Sequence, residues 1–168
     1  MQVLKTKKEI ISALQIKQGL TIGFIPTMGA LHEGHVQLVK QSKKKCNITI
    51  VSIFVNPTQF NNPRDFKTYP NTLDLDLEKL MSLGCDIVYT PSVRDLYDTG
   101  EKSKQFNFGR LTNHMEGKYR PGHFNGMATI VEKLFKIINP DAAFFGQKDL
   151  QQLQIVNALV KQINLPIE

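Results

Sequence analysis

Two histidines three residues apart carry the strongest chemical signal in this chain. His32 and His35 close the segment Pro26-Thr-Met-Gly-Ala-Leu-His-Glu-Gly-His35, which follows a short apolar run. At a helix start, residues three apart share a face. Such a start offers unpaired N–H groups and partial positive charge, which together suit phosphate. Gly29 and Gly34 permit close backbone approach by a ligand. Two imidazoles there could donate hydrogen bonds to phosphate oxygens as negative charge shifts during a displacement. Two other readings stand beside this one. The pair could hold zinc, but no third ligand is evident and Glu33 falls elsewhere on a helix. Or the two could be capping or core histidines, which is the better reading for a lone histidine. Their place directly after a strand and a glycine-bearing turn favours phosphate contact.

Two further polar segments have the same placement, Asn56-Pro-Thr-Gln-Phe60 and Gly146-Gln-Lys-Asp149, each after an apolar run. Taken singly they are unremarked features. Gln59 or Gln152 alone reads as a surface amide, and Lys148-Asp149 alone reads as a helix start with an acid in its first turn.

The elements that must position these segments alternate in type. Residues 7–17 read as a short amphipathic helix with Ile10, Ile11, Leu14 and Ile16 as apolar positions and Gly19 as its stop. Residues 20–25 read as a buried strand ended by Pro26, residues 34–44 as a helix, and residues 47–55 as the clearest strand. That strand is nearly continuous in apolar and β-branched residues, as expected when both faces are covered. A helix over 73–83 ends at Gly84, and a short strand over 86–89 is closed by Pro91. Residues 92–117 look irregular. A helix over 126–138 breaks at Asn139-Pro140, a strand covers 142–145, and a last helix covers 150–162. Alternation of this kind predicts an α/β fold: a Rossmann-like open parallel sheet with helices on both faces. Its ligands should sit beyond the C-terminal ends of the strands, where all three polar segments fall.

The bulk numbers bound the rest. A chain of 168 residues is one domain by the usual prior of roughly 100–200 residues each. No apolar stretch approaches the ~18 residues that span a bilayer. The N-terminal residues 1–9 are charged, without the apolar run of a signal peptide. Cys46 and Cys85 lack metal-type spacing, which reads as a reduced, cytoplasmic protein. The net charge of +6 is either attraction for an anionic partner, nucleic acid or a phosphorylated small molecule, or a lysine-rich solvated surface. Lys43-Lys44-Lys45 closes a predicted helix, where cations are favoured. Few aromatics lie nearby, so it makes a poor nucleic-acid platform, and no nucleic-acid or membrane partner is expected. The last residues, Leu165-Pro-Ile-Glu168, look like the approach to another strand, as in a separable part of something longer.

The string His32-Glu-Gly-His35 after a strand resembles the HIGH signature of class I aminoacyl-tRNA synthetases and related nucleotidylyltransferases. The longer string Ile25-Pro-Thr-Met-Gly-Ala-Leu-His-Glu-Gly-His35 resembles the pantothenate synthetase family in particular. So do Phe54-Val-Asn-Pro-Thr-Gln-Phe60, Tyr69-Pro-Asn-Thr72, Glu116-Gly-Lys-Tyr-Arg-Pro-Gly-His-Phe-Asn-Gly126, Lys133-Leu-Phe135 and Phe145-Gly-Gln-Lys-Asp-Leu-Gln-Gln-Leu153. They occur in the family's order and cover essentially the whole chain.

The resemblance implies a HIGH-type nucleotidylyltransferase fold and an ATP-dependent, AMP-forming ligase. Such an enzyme activates pantoate as an adenylate and joins it to β-alanine. It implies ATP contact from Met28, Gly29, Ala30, Leu31, His32, Glu33, Gly34 and His35, and from Gly146, Gln147, Lys148 and Asp149. His35 matches the histidine assigned as proton donor, His32 its companion on phosphate, and Lys148 a residue offsetting phosphate charge. Gln59, Gln152, Asn56 and His123 match pantoate contacts, with Gln59 also beside the β-alanine position. Two glutamines suit a short dihydroxy acid, since each amide both donates and accepts. Asp76 matches an acid near magnesium-bound phosphates, although Asp74-Leu75-Asp76 is sparser in acid than the family's usual run. The resemblance further implies Mg2+, a homodimer, and a layout in which residues 1–168 are the N-terminal ATP- and pantoate-binding domain. A phosphate-closing loop and a C-terminal lid domain would follow Glu168. A different HIGH-type enzyme would share the histidines but not the Gln59 and Gln152 strings. A non-catalytic binding fragment is the remaining alternative.

Overall fold

The computed structural model describes residues 1–16 and 19–168. Five strands form one all-parallel sheet: β1 (Gln2–Leu4), β2 (Ile22–Thr27), β3 (Ile48–Ile53), β4 (Ile87–Tyr89) and β5 (Ala142–Ala143). Their spatial order is β1-β4-β3-β2-β5. From β2 the chain steps outward through β3 to β4, then returns to place β5 on the other side of β2. The order therefore reverses at β2, and the crevice between β2 and β5 is the topological switch point where such sheets bind ligands.

The helices are α1 (Lys7–Gln15), α2 (Glu33–Lys45), α3 (Pro63–Lys67), α4 (Leu73–Ser82), α5 (Val93–Leu96), α6 (Met115–Tyr119), α7 (His123–Ile138) and α8 (Leu150–Ile163). Successive strand residues face opposite ways, and that alternation splits the core in two. Phe24, Ile50, Ile87 and Tyr89 pack with residues of α1, α7 and α8. Ile25, Val51 and Val88 pack on the opposite face with Val39 of α2 and Leu80 of α4. Both faces of the central strands are thus covered, which explains their unbroken apolar composition.

Several boundaries differ from the sequence-based expectation, each for a physical reason. Pro26 does not end its strand; β2 runs on to Thr27. Thr27 O accepts from Phe54 N on the β3 side, whereas Phe24 O accepts from Phe144 N on the β5 side. By alternation Pro26 faces β5, which ends at Ala143, so its missing N–H costs no ladder bond. The N-terminal residues add a strand, β1, paired with β4, that their charge had masked. Helix α7 begins at His123 rather than 126, because Gly122 in the left-handed region (φ 81°) turns the chain into it. The strand over 142–145 shortens to two residues. The segment read as irregular contains α5 and α6, and a strap over 98–108 crosses α7. Lys104 N bonds Thr129 Oγ1 (2.9 Å) and Lys104 Nζ pairs with the buried Glu132 carboxylate (2.7 Å). Helix α1 ends at Gln15, and the expectation for Lys17 lies outside the described residues.

Candidate active site

The turn that follows β2 is held by hydrogen bonds within itself and from α4. Thr27 Oγ1 accepts from Gly29 N (3.2 Å), and Gly29 then enters the left-handed region (φ 84°). Ala30 follows it there (φ 51°), a conformation unfavourable for a residue with a Cβ. What fixes it is Asp76, a carboxylate on α4 only 2% exposed. Its Oδ2 accepts from Ala30 N (2.9 Å) and Thr72 Oγ1 (3.0 Å), and its Oδ1 from Leu31 N (2.8 Å). Lys79, one turn further along α4, donates to the Leu31 carbonyl. The buried negative charge is stabilised by these converging donors rather than by an ion pair.

This geometry gives Asp76 a role that the sequence did not show. Both Asp76 oxygens are engaged by backbone and hydroxyl donors, so the residue positions the loop. Among the described residues no group of three His, Cys, Asp or Glu side chains could hold an ion. The same applies to the zinc reading of His32 and His35.

The two histidines cap α2. His32 is the residue before the helix, and its Nδ1 accepts from Gly34 N (3.0 Å). His35 Nδ1 reaches back to accept from His32 N (3.3 Å). This is a capping box built from two imidazoles in place of a hydroxyl and a carboxylate. The capping reading and the phosphate reading are therefore not rivals. Each Nδ1 accepts a backbone proton and carries none, so the proton of each neutral ring sits on Nε2. Burial, and then the neighbouring His32, push the His35 pKa down to about 4, with Asp76 opposing the shift. At neutral pH His35 is an uncharged imidazole with an N–H to offer.

The second segment forms the adjoining wall. Residues Pro57–Gln59 make one 3-10 turn, capped by Asn56. Gln59, 8% exposed, is held from three sides. Its backbone carbonyl meets His123 Nδ1 (2.9 Å), its Oε1 accepts from Asn56 Nδ2 (3.1 Å), and its Nε2 reaches Met28 Sδ (3.0 Å). His123 is thus behind the wall, bonded to the Gln59 carbonyl, and does not line the cavity as expected from sequence. Burial lowers its pKa, which favours the neutral ring.

These pieces enclose a cavity of about 290 Å3 with Met28, His32, His35, Asn56, Gln59 and Gln152 on its walls. Met127, Ile130 and Leu134 of α7 supply an apolar side. A second hollow of about 410 Å3 adjoins it, sharing His32, His35, Asp149 and Gln152 and adding Gly34, Gly146 and Lys148. The two meet at the switch point between β2 and β5. Of the residues singled out from sequence, Leu31 is buried in the core, and Glu33 and Gln147 are exposed away from both hollows. Sequence reasoning gave no role to Tyr69, Met127 or Ile130, which also line the first cavity. Tyr69 lay in a quoted string, and Met127 and Ile130 lay within the helix expected over 126–138.

The arrangement can hold a phosphate chain beside the two Nε2–H donors and Lys148, and a short polar acid between Gln59 and Gln152. Comparison with known proteins agrees in kind. Residues 2–168 match the family model described as pantoate-beta-alanine ligase. The pantothenate synthetase of Flavobacterium psychrophilum is 57% identical over 143 residues, 84% of this chain and 51% of its own length. That of Christiangramia forsetii is 50% identical across 100% of this chain and 60% of its own length. A crystal structure of the pantoate-beta-alanine ligase of Francisella tularensis, complexed with beta-gamma ATP and beta-alanine, superposes with a TM-score of 0.96 at 43% identity, covering 100% of this chain and 65% of that one. The chain spans about half to three fifths of the length of these curated relatives. On the strength of the family match and these identities, this chain belongs to the pantoate-beta-alanine ligase family.

Proposed function

We propose that this chain forms the ATP- and pantoate-binding part of a ligase that joins pantoate to β-alanine through an acyl adenylate. The observation that carries the reading is the junction of the two hollows. A donor-lined phosphate site and an amide-lined acid site meet across His32, His35 and Gln152. An acid carboxylate held there lies beside the phosphate site. It attacks the α-phosphorus, the bond from that phosphorus to the bridging oxygen breaks, and pyrophosphate leaves. The amine of β-alanine then attacks the acyl carbonyl, loses a proton, and expels AMP. The Francisella relative was crystallised with an ATP compound and β-alanine, which supports the same substrates here.

Each residue has a defined part. His32 and His35 donate Nε2–H to phosphate oxygens as charge builds on them. These donors are fixed in advance by their capping bonds, so little reorganisation accompanies the reaction. Lys148, exposed on the rim of the phosphate hollow, neutralises phosphate charge. Met28, Gly29 and Ala30 form the turn against which the nucleotide rests, with Gly34, Gly146 and Asp149 around it. Gln59 and Gln152 hold the acid, and Gln59 lies nearest the β-alanine position. Asn56 acts through Gln59. Proximity supplies much of the rate, since both reactants are held side by side. Magnesium belongs to the same family reading, and no group of three His, Cys, Asp or Glu side chains among the described residues would cage it. A homodimer, a cytoplasmic location and a lid from a further domain belong to the same proposal.

The test is pyrophosphate release from ATP and magnesium, with and without pantoate, and without β-alanine. Release that depends on pantoate is the expected result. Release that is equal without pantoate, together with no calorimetric binding of pantoate, would sink the reading.

A further inference from the structure

Asn56 is 1% exposed and fully engaged, and the polarity of its amide is set by the backbone around it. On one side lies the Gly126 carbonyl, which can only accept; Asn56 Nδ2 donates to it at 3.1 Å. On the other lies the Thr58 N–H, which can only donate; Asn56 Oδ1 accepts from it at 3.4 Å. Turning the amide over would set two acceptors and two donors face to face. Its second Nδ2 proton goes to Gln59 Oε1 (3.1 Å). That leaves the Gln59 amide one orientation, with Nε2 toward the cavity. There, among the described residues, it meets only Met28 Sδ, a weak acceptor that a ligand oxygen can replace.

Tyr97 completes this chain from below. Its hydroxyl donates to Asn56 Oδ1 at 2.8 Å, the shortest bond that the amide makes. The ring is itself clamped: Lys133 Nζ stands 5.0 Å from its centroid, and Lys133 pairs with Glu101 at 2.7 Å. Tyr97 does not line the cavity. We propose that Tyr97 is a positioning residue for the acid subsite, holding Asn56 so that Gln59 presents a fixed N–H donor to an oxygen of the bound acid. Burial raises the Tyr97 pKa, so the hydroxyl keeps its proton across the working range. The inference rests on the proposed acid-binding role of Gln59.

The consequence is selectivity by polarity. A donor-only Gln59 accepts a carboxylate or a hydroxyl oxygen and rejects a group that can only donate. Losing one buried hydrogen bond from the relay should weaken acid binding roughly 3- to 20-fold without touching the nucleotide. The experiment uses 15N-labelled chain, as wild type, Tyr97→Phe and Asn56→Asp, with side-chain amide spectra and calorimetric titration by pantoate and by ATP. In the wild type both Asn56 amide protons should exchange slowly with solvent, and one Gln59 amide proton fast. Tyr97→Phe should shift the Gln59 amide resonances and weaken pantoate, with ATP affinity within twofold. Asn56→Asp, which has no proton for Gln59 Oε1, should lose more pantoate affinity than Tyr97→Phe. A purely structural tyrosine would lower the melting temperature while leaving the ratio of pantoate to ATP affinity unchanged. Wild-type pantoate affinity and unshifted Gln59 resonances in Tyr97→Phe would overturn the proposal, as would fast exchange of both Asn56 protons in the wild type. If wild type itself ignores pantoate, the functional reading fails. The Gln59 resonances and the Asn56 exchange rates still decide the relay.

Discussion

His32 and His35 lie with ring centroids 4.2 Å apart, tilted by 38°, yet bond to backbone rather than to each other. His32 gives its Nδ1 to the Gly34 N–H in the first turn of α2 and His35 gives its Nδ1 to the N–H of the cap residue His32, so each keeps an Nε2–H for the cavity. Ring nitrogen spectra should therefore show the Nε2–H form for both in the free protein. His35 should titrate near pH 4, because burial penalises its charged form. The sign for stability follows. The unfolded His35 takes up its proton near the ordinary value of about 6.5, the folded one only near 4. Between those values the unfolded state binds more protons, so His35 makes the fold less stable as pH falls through that window. Replacing His35 by Gln should flatten that part of the stability profile. A His35 that is charged at pH 6 in the folded chain would contradict the assignment.

Asp76 is the counterpart on the other side of the turn. Its replacement by Ala would leave the Leu31 N–H without an acceptor and the Ala30 N–H with only Thr72 Oγ1 (3.2 Å), at about 1–3 kcal/mol for the orphaned buried donor. Asp76→Asn keeps one acceptor oxygen but turns an amide toward a donor, so it should fall between. Thermal melts should rank wild type above Asn above Ala, with ATP affinity falling in the same order. Asn melting and binding as wild type does would show that the charge at this position is dispensable.

How much of this was legible in the sequence depends on the range of the interaction. The parallel sheet, its helices and the glycine turn before His32 follow from local periodicity, and the three polar segments do converge at the switch point. What could not be read was polarity at a distance. Asp76 gave no sign of its buried contacts because nothing local shows that Ala30 and Leu31, some 45 residues earlier, turn their N–H groups toward it. His123 looked like a pocket residue because its partner, the Gln59 carbonyl, lies 64 residues away. Tyr97 sat in a stretch without period, so it carried no signal at all. Pro26 misled for the opposite reason: the local rule was sound, but the strand edge that it faces is open.

Lys148 separates binding from folding. It is exposed and makes no ion pair among the described residues. Lys148→Ala should change stability by no more than about 0.5 kcal/mol. ATP affinity should drop, and by less at high salt, since an exposed charge is screened. Equal ATP affinity in the two proteins at low salt would remove Lys148 from the phosphate site.

Gly126 tests the contact on which the acid wall depends. It sits within α7, where Ala would ordinarily be favoured over Gly by about 1 kcal/mol. Here a Cβ would land on the Thr58 carbonyl oxygen and crowd the Gln59 Cα. The 3-10 turn carrying Gln59 packs so closely on α7 that Asn56 can reach the Gly126 carbonyl across the gap. Gly126→Ala must push the two apart. It should destabilise the fold by about 1–3 kcal/mol, the usual cost of overpacking, despite its better helix propensity. Because the shift stretches the Asn56 bond, pantoate affinity should fall further than ATP affinity. A melting temperature raised by this substitution would mean that helix propensity outweighs the clash and that the turn can move away without loss. The close packing would then not be what holds Gln59 in place.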